Sequence, residues 1–165
     1  MPVAEQLTIH RALTAFCEQR ARIEILGHRI TDNVGKISGL HRQSALTRKQ
    51  WGPNVVSLDT ARTHIELACL FSDTAHLAQL ARQLHDDFSI AAHDYLLENS
   101  NRKEALVATS ACREVQLSSA MQSRVDAAIA RCDKEVEQLM CLLDHSGKSV
   151  ALLVTVAEQI SGLRQ

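Results

Sequence analysis

Residues 9–40 read IHRALTAFCEQRARIEILGHRITDNVGKISGL. A large apolar side chain recurs in this stretch at every seventh position: Ile9, Phe16, Ile23, Ile30 and Ile37. A second apolar series lies three residues after members of the first: Ala12, Leu26 and Leu40. Steps of three and four place these side chains on one face of an α-helix, where other helices must cover them. The stretch therefore predicts a long helix with helical partners.

The composition indicates that the rest of the chain is helical too. The chain has 165 residues, of which 45% are hydrophobic and only 3% aromatic. Two prolines and six glycines provide too little turn chemistry for a many-stranded sheet. A chain of this length usually forms one domain with its own core. We expect an all-α fold in a single helical domain, residues 1–165.

Two breaks divide the chain into three predicted helices. The first helix is predicted at 3–48 and ends before Trp51-Gly52-Pro53-Asn54, because proline and glycine favour a reversal. Ser57 is the predicted N-cap of a second helix that ends near Glu98. The apolar stripe of that helix contains Leu67, Leu70, Thr74, Leu77, Ala81, Leu84, Phe88, Ala91 and Tyr95. The second break is predicted at residues 99–101.

The third helix is predicted from residue 101 onward, with a weakly apolar first half. Its stripe contains Val115, Val125, Ile129, Cys132, Val136, Leu139 and Leu143, with Ser118 and Gln122 interrupting it. Gly147 favours a break that leaves a short fourth helix at 148–162, although the stripe resumes in phase beyond it. Short connections make neighbouring helices antiparallel. We expect an elongated antiparallel bundle or coiled coil of three long helices, in which a break of the third near Gly147 gives a fourth and which dimerisation could complete.

Asn33 occupies a position of the first seam and leaves two alternatives open. A lone seam asparagine can fix the register or the oligomeric state of a coiled coil. Alternatively, Asn33 faces solvent where the helix bends.

Charge is distributed unevenly along the chain. The net charge is +4 over residues 1–49 and −5 over residues 50–99, whereas the whole chain carries −1. Pairing between the first two helices explains this pattern. The alternative is a basic patch at Arg42, Arg48 and Lys49 that binds nucleic acid or an acidic partner. Nucleic-acid binding is unlikely to be the main function, because such domains are usually clearly basic.

We find no constellation of catalytic residues in the sequence. Gly147-Lys148-Ser149 resembles the end of a phosphate-binding loop, but residue 142 is leucine where that loop requires glycine. No two of the eight histidines have the spacing of three or four that joint metal binding on one helix requires. A polar cluster on the second helix contains His85, Asp86, Asp87, His93 and Asp94. We expect neither an enzyme nor a cofactor.

The sequence favours a reducing, cytoplasmic location. The N-terminus is amphipathic and lacks the apolar core of a signal peptide, and no run of 18 apolar residues is present. The five cysteines are odd in number and scattered, unlike those of a disulfide framework: Cys17, Cys69, Cys112, Cys132 and Cys141. Cys132 on the third seam, with Cys69 and Cys141 beside theirs, is expected to serve core packing.

These patterns predict a non-enzymatic module that binds another protein through helix-on-helix contacts, as an adaptor, chaperone-like factor or regulator, and forms a homodimer. The candidate binding residues are Arg42, Arg48, Lys49, Trp51, Val115 and Gln122. One alternative is a metal- or small-ligand-binding bundle centred on His76, His85 and His93. Another is a nucleic-acid-associated regulator that uses the basic residues 42–49.

Overall fold

Three long helices make up the protein in a computed structural model that describes residues 3–52, 58–112 and 117–162, with side chains from residue 13 onward. They are α1 (Val3–Trp51), α2 (Leu58–Ala111) and α3 (Ser119–Gly162). Helix accounts for 97% of the described residues, and these contain no strand. The predicted all-α bundle of three long helices is confirmed.

Helix α1 is continuous and ends at Trp51, three residues after the predicted end at residue 48. Gly52 adopts a φ of +82°, a left-handed conformation that glycine tolerates best. Its N–H donates to the carbonyl oxygen of Arg48 at 3.0 Å, which satisfies an acceptor in the last turn of the helix. The predicted N-cap of the second helix, Ser57, lies outside the described residues.

The predicted break at residues 99–101 is wrong, because α2 continues to Ala111. The Asn99 side chain is 3% exposed and donates from Nδ2 to the carbonyl oxygen of Cys132 at 2.9 Å. An asparagine held by a neighbouring helix does not compete for the backbone of its own helix, as it would in a cap or turn. Tertiary contact therefore overrides the local signal.

Helix α3 consequently begins at Ser119, later than predicted. The Ser118 Oγ accepts a hydrogen bond from the backbone N–H of Met121 at 3.3 Å, the geometry of an N-cap. Gln122 lies in the first turn of α3, where its side chain donates to the hydroxyl of Ser110 on α2 at 2.7 Å. Val115 lies outside the described residues.

The predicted break at Gly147 is also wrong, since α3 runs without interruption to Gly162. Ser146 supplies the missing seam position, because it is 3% exposed and lies between Leu143 and Val150 at steps of three and four. Glycine inside a helix costs about 1 kcal/mol relative to alanine. The apolar phase on both sides of Gly147 is sufficient to offset that cost.

The chain divides into two compact units, each built from segments of all three helices. Unit 1 comprises Met1–Phe16 and Asp86–Gly147, and unit 2 comprises Cys17–His85 and Lys148–Gln165. The single-domain assignment stays a prediction.

The core of unit 1 forms around two aromatic rings. The ring of Phe16 on α1 meets that of Phe88 on α2 edge to face, with centroids 4.8 Å apart. Ala92 and Leu139 complete the buried cluster. The predicted seam residue Phe16 is thus confirmed as core, whereas the side chains of Ile9 and Ala12 lie outside the described residues.

Unit 2 buries the rest of the isoleucine series. Ile23, Ile30 and Ile37 are each at most 2% exposed and pack against side chains of α2 and α3. Asn33 is 7% exposed in the same seam, and its Nδ2 donates to Asp73 Oδ2 on α2 at 2.7 Å. The solvent-facing alternative for Asn33 is therefore wrong.

Candidate functional site

A buried polar network joins α2 to α3 in unit 1. Glu135 Oε2 accepts hydrogen bonds from the Tyr95 hydroxyl at 2.9 Å and from Arg102 Nη2 at 2.7 Å. Arg102 Nη2 also donates to Asn99 Oδ1 at 2.6 Å, and Asn99 donates onward to the carbonyl of Cys132. The network fixes the position of α3 against α2 at this level of the seam.

Desolvation shapes the electrostatics of this network. The side chains of Arg102 and Glu135 are 25% and 10% exposed. Burial raises the pKa of Tyr95 to about 12, and the hydrogen bond to the Glu135 carboxylate acts in the same direction. Arg102 Nε is buried without a hydrogen-bond partner in the described part of the chain. A buried donor without a partner is destabilising. The guanidinium of Arg102 thus has one N–H donor that lacks an acceptor.

Beside the network lies an open cleft between α2 and α3, which we call the hairpin cleft. Its cavity volume is about 230 Å³. Its lining residues are Arg102, Ala105, Leu106, Thr109, Ala128, Arg131 and Cys132. Five of these seven side chains are small or apolar, and alanine on both helices leaves room for larger side chains from another molecule. The cleft is thus an apolar slot with two guanidinium groups at its boundary.

The hairpin cleft continues the core seam of unit 1 from about the level of Val3, the first described residue of α1. Helix α1 runs back from Phe16 to its first residue, Val3, over about 20 Å at 1.5 Å per residue. Helices α1 and α2 are antiparallel, and Phe16 contacts Phe88. The same length of α2, measured from Phe88 towards its C-terminus, therefore ends close to Arg102. Among the side chains that the structure describes, from residue 13 onward, those that line the cleft come from α2 and α3.

The two arginines of the hairpin cleft differ in their partners. Arg102 forms an ion pair with Glu135. Arg131 is exposed, and its guanidinium forms no ion pair or hydrogen bond within the described residues. Nearby carboxylates on α3 already have partners: Asp126 accepts from Gln122, and Asp133 pairs with Lys103. The cleft therefore combines apolar surface with one cation, Arg131, that has no counter-ion among the described residues.

The predicted basic end lies in unit 2. Arg42, Arg48 and Lys49 are exposed, and the Trp51 side chain is 68% exposed. Arg48 and Trp51 line a cleft of about 200 Å³ between the end of α1 and the start of α2, together with His64. The structure thus brings two of the predicted binding residues into one cleft; Gln122 belongs to unit 1.

The histidines do not assemble with other metal ligands. Among the described residues, no group of three or more His, Cys, Asp and Glu side chains is arranged to hold a metal ion. His76 is exposed and His85 is half-buried. His93 lines an open groove with the exposed side chains of Ile90 and Met140.

The cysteines fall into two classes. Cys132 is 2% exposed, which confirms its predicted place in the core. Cys69 and Cys141 are exposed, so their predicted packing role is wrong, because they lie on the outer sides of α2 and α3. All five thiols are free.

Helix α3 contains an 18-residue stretch with a mean hydropathy of 1.4, 17% of which is buried. Its length and composition would suffice to cross a membrane, but a core helix of a bundle can have the same composition, so the evidence is weak. The cytoplasmic location stays a prediction.

Comparison with protein-family models, with characterised proteins and with solved structures gave no significant match. The site therefore has to be argued from its own chemistry. Sequence reasoning missed Arg102 and Glu135 because it ended α2 too early. The signal was present, since Tyr95, Asn99, Arg102 and Leu106 continue the alternation of three and four.

Proposed function

We propose that this protein is a non-enzymatic interaction module that binds a helix of another protein in the hairpin cleft. The observation that carries the proposal is the open cleft between α2 and α3, whose described lining side chains come from these two helices. A two-helix seam with small side chains accepts a third helix by the packing that forms bundles and helix-in-groove complexes.

Exposed apolar side chains near the hairpin end support the same function. Val107 on α2 and Met121 on α3 are 46% and 54% exposed. Neither lines the hairpin cleft. Apolar groups around a small cleft enlarge the surface that a partner can cover, and such exposed surface marks interaction sites when it is contiguous.

We propose in addition that the chain forms a homodimer through the α1–α2 end of unit 2, in a reducing, cytoplasmic environment. The support is the exposure of large apolar side chains there: Trp51 at 68%, Leu58 at 92% and Ile65 at 67%. Sedimentation equilibrium of the wild type and of Trp51→Ser tests it: the dimer should weaken in the variant.

The test of the main proposal compares two glutamate substitutions on α3. Ala128→Glu places a carboxylate in the hairpin cleft, whereas Ala130→Glu makes the same change at an exposed position outside it. Purified wild type and both variants serve as baits in a quantitative pull-down, and circular dichroism verifies that all three are folded. A partner that binds the cleft should be captured by wild type and Ala130→Glu and lost with Ala128→Glu. Equal capture of every protein by all three baits refutes the proposal.

A further inference from the structure

We propose that the helix that binds the hairpin cleft is amphipathic and acidic, with carboxylates flanking its apolar stripe. This inference rests on the proposed function and specifies its partner. It follows from the two guanidinium groups that line the cleft, Arg102 and Arg131. The apolar stripe of the partner enters between Ala105 and Ala128, and a carboxylate beside that stripe pairs with Arg131.

The charge argument begins with what each arginine lacks. Arg131 has no partner within the described residues, and Arg102 has Nη2 engaged by Glu135 and Asn99 while its Nε has none. Arginine presents a planar set of donors that matches a carboxylate. An incoming carboxylate would supply an acceptor to the exposed guanidinium of Arg131, whereas Arg102 already pairs with Glu135 and its Nε is buried.

The same charges disfavour a second copy of this chain as the occupant. If the clefts of two copies met face to face, Arg102 and Arg131 of both would enter one interface, and like charges in an interface are unfavourable. The chain does carry an acidic apolar stripe on the exposed side of α2, formed by Asp87, Ile90 and Asp94. Binding that stripe in the cleft of another copy would be a head-to-tail contact, which leads to open-ended assembly or a ring. A separate partner avoids both problems.

The test uses the full-length protein and two synthetic helical peptides of about 18 residues. Both carry leucines at alternating steps of three and four, flanked in one peptide by glutamates and in the other by lysines. Fluorescence anisotropy measures binding to the wild type, to Ala128→Glu and to two charge reversals on α3. Arg131→Glu changes the cleft, and Arg124→Glu is its matched control at an exposed position that does not line it.

We expect the wild type and Arg124→Glu to bind the acidic peptide about tenfold more tightly than the basic one. Arg131→Glu should abolish or reverse that preference and leave the fold unchanged. Equal binding of both peptides, with loss of both in Ala128→Glu, would overturn the charge inference and leave the proposed function intact.

The remaining outcomes separate the two proposals. If neither peptide binds but the pull-down still distinguishes Ala128→Glu from Ala130→Glu, the partner chemistry is wrong and the cleft still functions. If neither assay shows a difference, both proposals fail. Self-association that Ala128→Glu abolishes would identify a second copy as the occupant and overturn the inference.

Discussion

Removing Arg102 should destabilise the protein far more than removing its neighbour Lys103. Both cations on α2 pair with a carboxylate of α3, at 2.7 Å to Glu135 and 2.5 Å to Asp133. The first pair is 25% and 10% exposed, whereas the second is 41% and 57% exposed. The two substitutions therefore compare a desolvated pair with a solvated pair on the same helix.

The magnitudes follow from that difference in burial. Arg102→Met keeps much of the aliphatic volume but leaves the Glu135 carboxylate buried with the Tyr95 hydroxyl as its remaining side-chain donor, which should cost about 3 kcal/mol of unfolding free energy. Lys103→Met breaks an exposed pair and should cost less than about 1 kcal/mol. The double variant Arg102→Met/Glu135→Leu should recover about 2 kcal/mol of the loss, because replacing a buried pair by apolar groups is often neutral.

Urea denaturation followed by circular dichroism measures all three variants, with the midpoint and the slope fitted separately. A cost for Arg102→Met no larger than that for Lys103→Met would refute the reasoning, since burial would then have no effect on the pair. Failure of Glu135→Leu to rescue Arg102→Met would show that the loss comes from packing of the arginine stem rather than from the stranded charge.

Three further predictions follow from particular side chains. Tyr95 is the only tyrosine, so near-ultraviolet titration should give a midpoint near pH 12 in the folded protein and near pH 10 in urea. Because the pKa is higher in the folded protein, the unfolding free energy should fall as pH rises from 10 to 12, and Tyr95→Phe should remove that fall. A midpoint near pH 10 in the folded protein would contradict this prediction. Gly39→Ala should raise unfolding free energy by about 0.5–1 kcal/mol, because an added Cβ at this helical position meets nothing within 4 Å, and a lower urea midpoint would count against it. Asn33→Ala should cost about 1–2 kcal/mol by leaving Asp73 without its 2.7 Å donor, and an unchanged urea midpoint would show that solvent replaces the bond.

The sequence predicts the parts of the fold that depend on apolar periodicity. The series Phe16, Ile23, Ile30 and Ile37 is buried as its spacing of seven requires. The sequence-based predictions of helix ends are wrong where polar residues occupy the seam. Asn99 and Ser146 look like helix-ending residues, yet both are buried in helices that continue past them. Local propensity cannot show that Asn99 finds its acceptor on a distant segment, at the carbonyl of Cys132.

The candidate site was harder to predict because it depends on contacts between helices rather than on periodicity along one helix. The weak apolar stripe indicates Val115 and Gln122, but Val115 lies outside the described residues and Gln122 bonds Ser110 in the first turn of α3. The hairpin cleft lies further along that helix, at Ala128 and Arg131. Its residues follow from the packing of α2 beside α3, which the sequence pattern does not show.

The polar network and the hairpin cleft share Arg102, and this has a consequence for specificity. A seam that stayed fully apolar to the end of the hairpin would accept any apolar helix in several registers. Asn99, Arg102 and Glu135 allow only arrangements that satisfy their hydrogen bonds, because a buried polar group without a partner is costly. Arg102 therefore restricts how α2 packs against α3, and its Nε is buried away from an incoming molecule. The exposed guanidinium of Arg131 lies in the same cleft, so a partner that places a carboxylate there would gain a bond that an apolar helix cannot form.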